Sequence, residues 1–212
     1  MIVLLLHGWP VSERVWVSQV GALRDAGFDV HAPHLYGRGA SIDDWAAQLL
    51  REQDGSLVVV GASMGGYCAL ALARRAPERV VGLVLVGSRA DADSFERRRF
   101  RQDTITELRA GQRPPLADDD ADLEHLAVAQ EAMRDRLDLT GVAASFGGPL
   151  LVCVGDRDEI VSVEEARELA ERALDGRLEV FPDAGHFVAV DQPQRFNEVL
   201  LDFLGQWRRD AG

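Results

Sequence analysis

Short apolar runs recur along the chain at Ile2–Leu6, Asp29–Ala32, Leu57–Gly61, Val80–Val86, Leu150–Val154 and Leu178–Phe181, most of them separated by stretches with helical periodicity. This alternation restricts the fold more than any other feature, because strands that follow one another through helices pair in parallel within one sheet. The runs are near-continuous Val and Leu rather than strict apolar–polar alternation, as in strands covered on both faces. The sheet is therefore expected to be interior, an α/β architecture with helices on either side.

Several helix boundaries are legible. Ser162 followed by Val163-Glu164-Glu165 is a capping box opening a helix through about Ala173, and Ser41 with Asp43 and Asp44 opens another through Arg51. Ala76-Pro77 stops the helix after residue 65, and Pro193 begins a final amphipathic helix through about Trp207. Between Ser88 and Gly148 strand signals vanish and the chain becomes charged and helical, interrupted by Gly111-Gln112-Arg113-Pro114-Pro115. Residues 1–87 and 149–212 thus read as one core, and 88–148 as a helical insertion that forms a lid.

At 212 residues the chain can bury a full core in one domain without disulfides or metals. Its net charge of -12 excludes a nucleic-acid partner, since phosphate binding needs clustered Lys and Arg. The one basic cluster, Arg97-Arg98-Arg99 with Arg101, reads as solvated helix faces or a local salt-bridge set. No apolar run approaches the ~20 residues that span a bilayer, and Met1–Leu6 lacks the basic leader of a signal peptide. A cytoplasmic protein is expected, with Cys68 and Cys153 as reduced, buried thiols.

The chemistry centres on Gly61-Ala62-Ser63-Met64-Gly65, which follows the run Leu57–Val60 and precedes a helical stretch. A turn this sharp strains the serine backbone and leaves no room for side chains two positions away on either side. A serine hydroxyl needs a base to take its proton and an acid to orient that base. His186, in the loop Asp183-Ala184-Gly185-His186-Phe187 beyond the last strand, is the best-placed base. The acid comes from Gly155-Asp156-Arg157-Asp158, which leaves its strand at the same edge of the sheet. Asp156 and Asp158 both stand on that turn. His7 reads as a pin for its loop, His31, His34 and His125 as surface or loop residues. No spacing resembles a zinc site and no Gly-rich loop ends in Lys-Ser or Lys-Thr, so neither metal nor cofactor is indicated.

With His7-Gly8-Trp9-Pro10, Gly61–Gly65, Gly155-x-x-Asp158 and Gly185-His186-Phe187 in this order, the chain resembles α/β-hydrolase fold proteins of the esterase, lactonase and perhydrolase group over residues 2–203. The resemblance implies an oxyanion loop at His7–Pro10, a nucleophile elbow at Ser63, and an acid and base at Asp158 and His186, with Asp156 or a residue near Asp91, at the end of an earlier strand, as the alternative acids. Backbone N–H groups of Trp9 and Met64 would then meet the oxyanion, and Trp9, Tyr36, Phe95, Phe100 and Phe187 would wall the substrate pocket. It implies a serine hydrolase acting on small-molecule esters or lactones. Perhydrolase or haloperoxidase chemistry, C–C bond hydrolysis and hydroxynitrile cleavage on the same triad are alternatives, as is a non-catalytic small-ligand receptor. Relatives that hydrolyse haloalkanes or epoxides use an aspartate where this chain has Ser63.

Three departures from the family pattern stand out. The antiparallel strand pair that usually precedes the oxyanion strand is missing, which leaves six strands in the order 2-1-3-4-5-6. The strand Asp29–Ala32 then becomes a bare edge, the kind a covering segment or a partner such as a second copy manages. His34, Tyr36 and Arg38 stand where the family usually has Asp, Arg and His. The insertion is also shorter than the common four-helix lid, which implies an open pocket.

Overall fold

The computed structural model describes residues 1–207. In chain order it contains β1 (Ile2–Leu6), α1 (Val17–Asp25), β2 (Asp29–His31), α2 (Ile42–Glu52), β3 (Leu57–Ala62), α3 (Met64–Arg75) and β4 (Val80–Val86). Then come α4 (Phe95–Arg109), α5 (Leu123–Arg134), α6 (Thr140–Ser145), β5 (Leu150–Gly155), α7 (Val163–Arg172), β6 (Gly176–Phe181), α8 (Val188–Asp191) and α9 (Pro193–Leu204). All six strands pair in parallel in the order β2-β1-β3-β4-β5-β6, the order expected from the sequence.

The period-2 geometry of the strands divides the core between two layers. Leu4, Leu6 and Val59 face one layer, packed with Trp45, Leu49 and Leu70 from α2 and α3. Val3, Leu5, Val58 and Val60 face the other, packed with Trp16, Leu23, Phe196 and Leu200. Because both faces are covered, the central strands are apolar at nearly every position, which explains why they lack alternation. The helix signals held locally: Ser41 accepts from the Asp44 N–H at 3.1 Å, and Ser162 and Glu165 form the reciprocal capping box.

β3 and β5 each run one residue past the expected end, to Ala62 and Gly155, and the two outer strands differ in more than length. β2 is only three residues long and buries Val30 alone, with Asp29 and His31 exposed and paired at 3.2 Å. Among the described residues, this edge is protected by its shortness and charge. β6 begins at Gly176, two residues before the apolar run, because an outer strand extends through the polar pair Gly176-Arg177 while pairing with Leu150 and Leu151.

Between β4 and β5 the chain forms α4, α5 and α6. Ile105, Leu108, Leu126, Ala127, Met133 and Ala143 belong to the same apolar cluster as the α2–α3 layer. The insertion therefore shares the core instead of forming a separate one. Register pairs such as Leu6↔Gly61, Ala62↔Val86 and Gly155↔Phe181 bring the carboxyl ends of five strands to one edge. The candidate residues leave the sheet there.

Candidate active site

Ser63 occupies the turn between β3 and α3 with φ +49° and ψ -111°. A non-glycine residue held there stores roughly 1–3 kcal/mol of strain, so its surroundings must over-determine it. They do. A Cβ on Gly61 would run into the Gly65 backbone, and one on Gly65 into the carbonyl of Leu6, so the elbow closes only with glycine at both places. The Ser63 N–H donates to Val86 O at 2.8 Å, and its carbonyl accepts from the Gly66 N–H at 2.9 Å. Ser88 was not among the sequence candidates, yet its buried hydroxyl donates to the same carbonyl at 2.8 Å. It fits because Gly66 has no Cβ, which would collide with Ser88 Oγ.

On the neighbouring strand ends, His186 Nδ1 lies 2.8 Å from Asp158 Oδ2. Asp158 has a fully buried side chain, and its Oδ1 accepts the N–H groups of Ile160 at 2.8 Å and Val161 at 3.0 Å. Burial opposes ionisation of Asp158, but the hydrogen bond and charge of His186 and then the two backbone donors outweigh it, holding the carboxyl below its usual range. With Nδ1–H donated to a carboxylate, Nε2 is left as the free lone pair. It is buried and has no hydrogen-bond partner among the described residues.

The alternative acids face elsewhere. Asp156 Oδ1 accepts the N–H of Asp183, a residue at φ +61°, at 2.8 Å, which clamps the base loop to the acid turn. Asp91 meets Arg97 at 2.8 Å. A residue missed in the sequence, Gly87 at φ +53°, lies directly against the pair. A Cβ there would stand 3.0 Å from His186 Nδ1 and 3.1 Å from Asp158 Oδ2. Its only sequence signal was its position, one residue past a strand at the catalytic edge.

Gly8 joins the loop after β1 to both sides of the site. A Cβ on it would lie 3.3 Å from Ser63 Cβ and 3.2 Å from the Phe187 ring, which itself meets the imidazole of His186 edge-on at 5.2 Å between centroids. Behind the loop, buried His7 donates through Nδ1 to Gly8 O at 2.9 Å and accepts the Leu35 N–H at Nε2, also at 2.9 Å. Burial pushes its pKa down to about 4, so it is neutral and serves as a pin. Tyr36 is buried, and its hydroxyl donates to Val11 O at 2.9 Å, so it props the loop; it also borders a cleft with Pro10, Glu13, His34 and His125.

Trp9 turns its indole toward the insertion, donating to Leu126 O at 3.2 Å. Phe95 and Phe100, expected as pocket walls, are 78% and 67% exposed on α4. The nearby arginines form ion pairs, Arg97 with Asp91 and Glu165, Arg98 with Asp135 and Arg101 with Asp93. Among the described residues, His7, Glu13 and His34 bring three possible metal-binding atoms within 4.8 Å. Both His7 nitrogens already have partners, however, and His34 Nδ1 is 2.6 Å from Glu13. That donor set does not fit a metal.

Comparison with known proteins agrees with this geometry. Residues 3–199 match the model of the alpha/beta hydrolase family. A thermophilic esterase from Thermogutta terrifontis superposes with a TM-score of 0.87 at 30% identity, covering 97% of this chain and 90% of that one. A 2-hydroxy-6-oxononadienedioate/2-hydroxy-6-oxononatrienedioate hydrolase from Paraburkholderia phymatum is 28% identical over 96% of this chain and 86% of its own. A shorter match to a pimeloyl-[acyl-carrier protein] methyl ester esterase from Aromatoleum aromaticum is 42% identical over 91 residues, 40% of this chain and 36% of that protein. Among the described residues no helix is long and apolar enough to cross a membrane.

Proposed function

The chain belongs to the α/β hydrolase family, and on that premise we propose that it is a cofactor-independent serine hydrolase that cleaves carboxylic esters or lactones through an acyl-enzyme. One observation carries the reading: His186 is held through Nδ1 by buried Asp158 and keeps Nε2 buried and unpartnered, at the edge where Ser63 sits on its strained turn. That is a base with its tautomer set and its lone pair unspent.

In the proposed reaction Ser63 Oγ attacks the carbonyl carbon and its proton passes to His186 Nε2. Asp158 stabilises the imidazolium. The oxyanion is met by the backbone N–H groups of Trp9 and Met64, neither of which donates to a carbonyl or side chain among the described residues. Collapse breaks the ester C–O bond, and the leaving alkoxide takes the proton from Nε2. Water then repeats the sequence on the acyl group and frees Ser63. Phe187, packed beside His186 and Gly8, borders the reacting carbonyl. The likeness to the thermophilic esterase supports ester substrates. A cytoplasmic setting is supported by the two free, buried thiols, which burial pushes up, Cys68 to about 12.

The test is fluorophosphonate labelling together with kcat/KM across p-nitrophenyl esters of graded chain length and a set of lactones. Ser63→Ala should abolish labelling and lower ester hydrolysis by roughly 10⁶-fold while leaving the thermal midpoint unchanged. Turnover by that variant at a tenth of the wild-type rate would remove Ser63 from the mechanism. Strong labelling with no ester or lactone turnover would move the chemistry to peracid formation, C–C hydrolysis or hydroxynitrile cleavage.

A further inference from the structure

We propose that the indole of Trp9 is a positioning device coupling the oxyanion loop to the insertion, so that the docking of α5 sets where the Trp9 backbone N–H points. The inference rests on the serine-hydrolase reading, in which that N–H is an oxyanion donor.

The loop is fixed from two sides. From behind, the core holds residues 8 and 11: His7 bonds Gly8 O and Leu35, and the Tyr36 hydroxyl bonds Val11 O. None of these bonds reaches Trp9, which lies between the two anchors. Its side-chain hydrogen bond runs the other way, from Nε1–H to Leu126 O at 3.2 Å, across 117 residues of sequence. Leu126 is fully buried in the cluster that joins α5 to the α2–α3 layer, and Trp9 packs against that same cluster.

The remaining ion pairs between this part of the chain and the insertion, Arg14 with Asp118 and Asp120, involve an Arg14 side chain that is 63% exposed. Exposed pairs of this kind contribute little. The indole, half-buried against this cluster, is therefore the better-shielded tie. A shift of α5 moves the carbonyl it follows, and turning the side chain turns the adjoining peptide. Oxyanion donors act only at the right place, and misplacement by about 1 Å can cost on the order of 10²-fold.

The experiment compares wild type, Trp9→Phe and a protein carrying benzothienylalanine at position 9. The last keeps the indole shape but replaces N–H by sulfur, and so preserves the question if Trp9→Phe fails to fold. Two readouts are taken: kcat and KM for p-nitrophenyl acetate, and the rate of inactivation by a fluorophosphonate, whose adduct at Ser63 places an oxygen in the same hole. Both replacements should lower kcat about tenfold or more, leave KM within about twofold, and slow inactivation by the same factor as kcat. A purely packing role would spare the benzothienylalanine protein. Wild-type kcat and inactivation rate in that protein would overturn the inference and leave the hydrolase reading standing. A wild-type protein that neither turns over ester nor takes the label would remove both.

Discussion

The sheet and the α4 helix of the insertion are held by different forces. β3 is buried at all six residues and covered on both faces by Trp16, Phe196, Trp45 and Leu70. In α4, fifteen residues long, only Thr104, Ile105 and Leu108 are buried, and the helix is tied down by arginines: Arg97 to Asp91, Arg98 to Asp135, Arg109 to Glu124 and Glu131. Apolar burial offers no charge for salt to screen, whereas exposed ion pairs contribute roughly 0–1 kcal/mol each and are screened. The elbow is thus carried by the rigid region, and α4 by pairs that salt can reach. One ionic group of the insertion breaks that rule. Asp93 has a fully buried side chain between Arg101 and Arg136, with Arg136 Nη1 at 2.6 Å in a close ion pair rather than an aligned hydrogen bond.

The sharpest test of the rigid region is its acid. Asp158→Asn should lower kcat by roughly 10⁴-fold, because asparagine keeps the shape but removes the charge that stabilises the imidazolium. Asp156→Asn removes only a clamp on Asp183 and should cost far less. Equal losses in the two variants, measured as kcat at pH 7, would mean that the His186 loop and not the Asp158 charge is being read.

In the insertion, Asp93→Asn leaves Arg101 and Arg136 without their shared anion in a buried place. Breaking a buried pair this way costs about 3–5 kcal/mol, which urea unfolding would show. Ser63 should still react with a fluorophosphonate below the unfolding transition, because the other partners of Arg101 and Arg136, which are Gln130, Met133, Asp91 and the Tyr67 ring, include none of Ser63, Asp158 and His186.

Acid, by contrast, reaches the core region itself, through buried His7 and Asp158. Unfolded, His7 takes a proton near its ordinary value of 6.5, but folded only near about 4, because burial excludes the charge. Between those values the unfolded chain binds the extra proton. The stability from neutral His7 is therefore complete above ~6.5 and is lost as pH falls toward 4, by about 3 kcal/mol in all. Asp158, held below its usual range, contributes only at lower pH: its stability is present above 3.8 and lost as pH falls through the folded value. Urea unfolding at pH 7 and 4.5 should show most of the His7 loss, and His7→Gln should flatten it.

The smallest effect expected is steric. Gly87→Ala must press on His186 Nδ1 and Asp158 Oδ2 from a backbone at φ +53°, and should lower kcat by on the order of 10²-fold with the sheet unchanged. Unaltered kcat would show that the pair can retreat without losing its alignment.

What the chain determined by itself is what depends on neighbours in sequence. Strand and helix periods, the capping box at Ser162 and the glycines two residues on either side of Ser63 are local conditions, so they can be read before any fold is known. With parallel crossovers they also place the ends of β3, β5 and β6 at one edge, which brought Ser63, the acid turn and His186 into the same place. Direction within that edge was not local. Asp156 and Asp158 lie two residues apart on one turn, and only the packed loops decide that one carboxylate caps Asp183 while the other meets the imidazole. Gly87 and Ser88 acquire their roles from residues 99 and 25 positions away, with no sequence pattern to announce them. The aromatic residues were hardest to place because an apolar ring satisfies several environments equally well. Tyr36 went under the loop, Trp9 to α5, and Phe95 and Phe100 to solvent, each according to which partner the tertiary structure brought within reach.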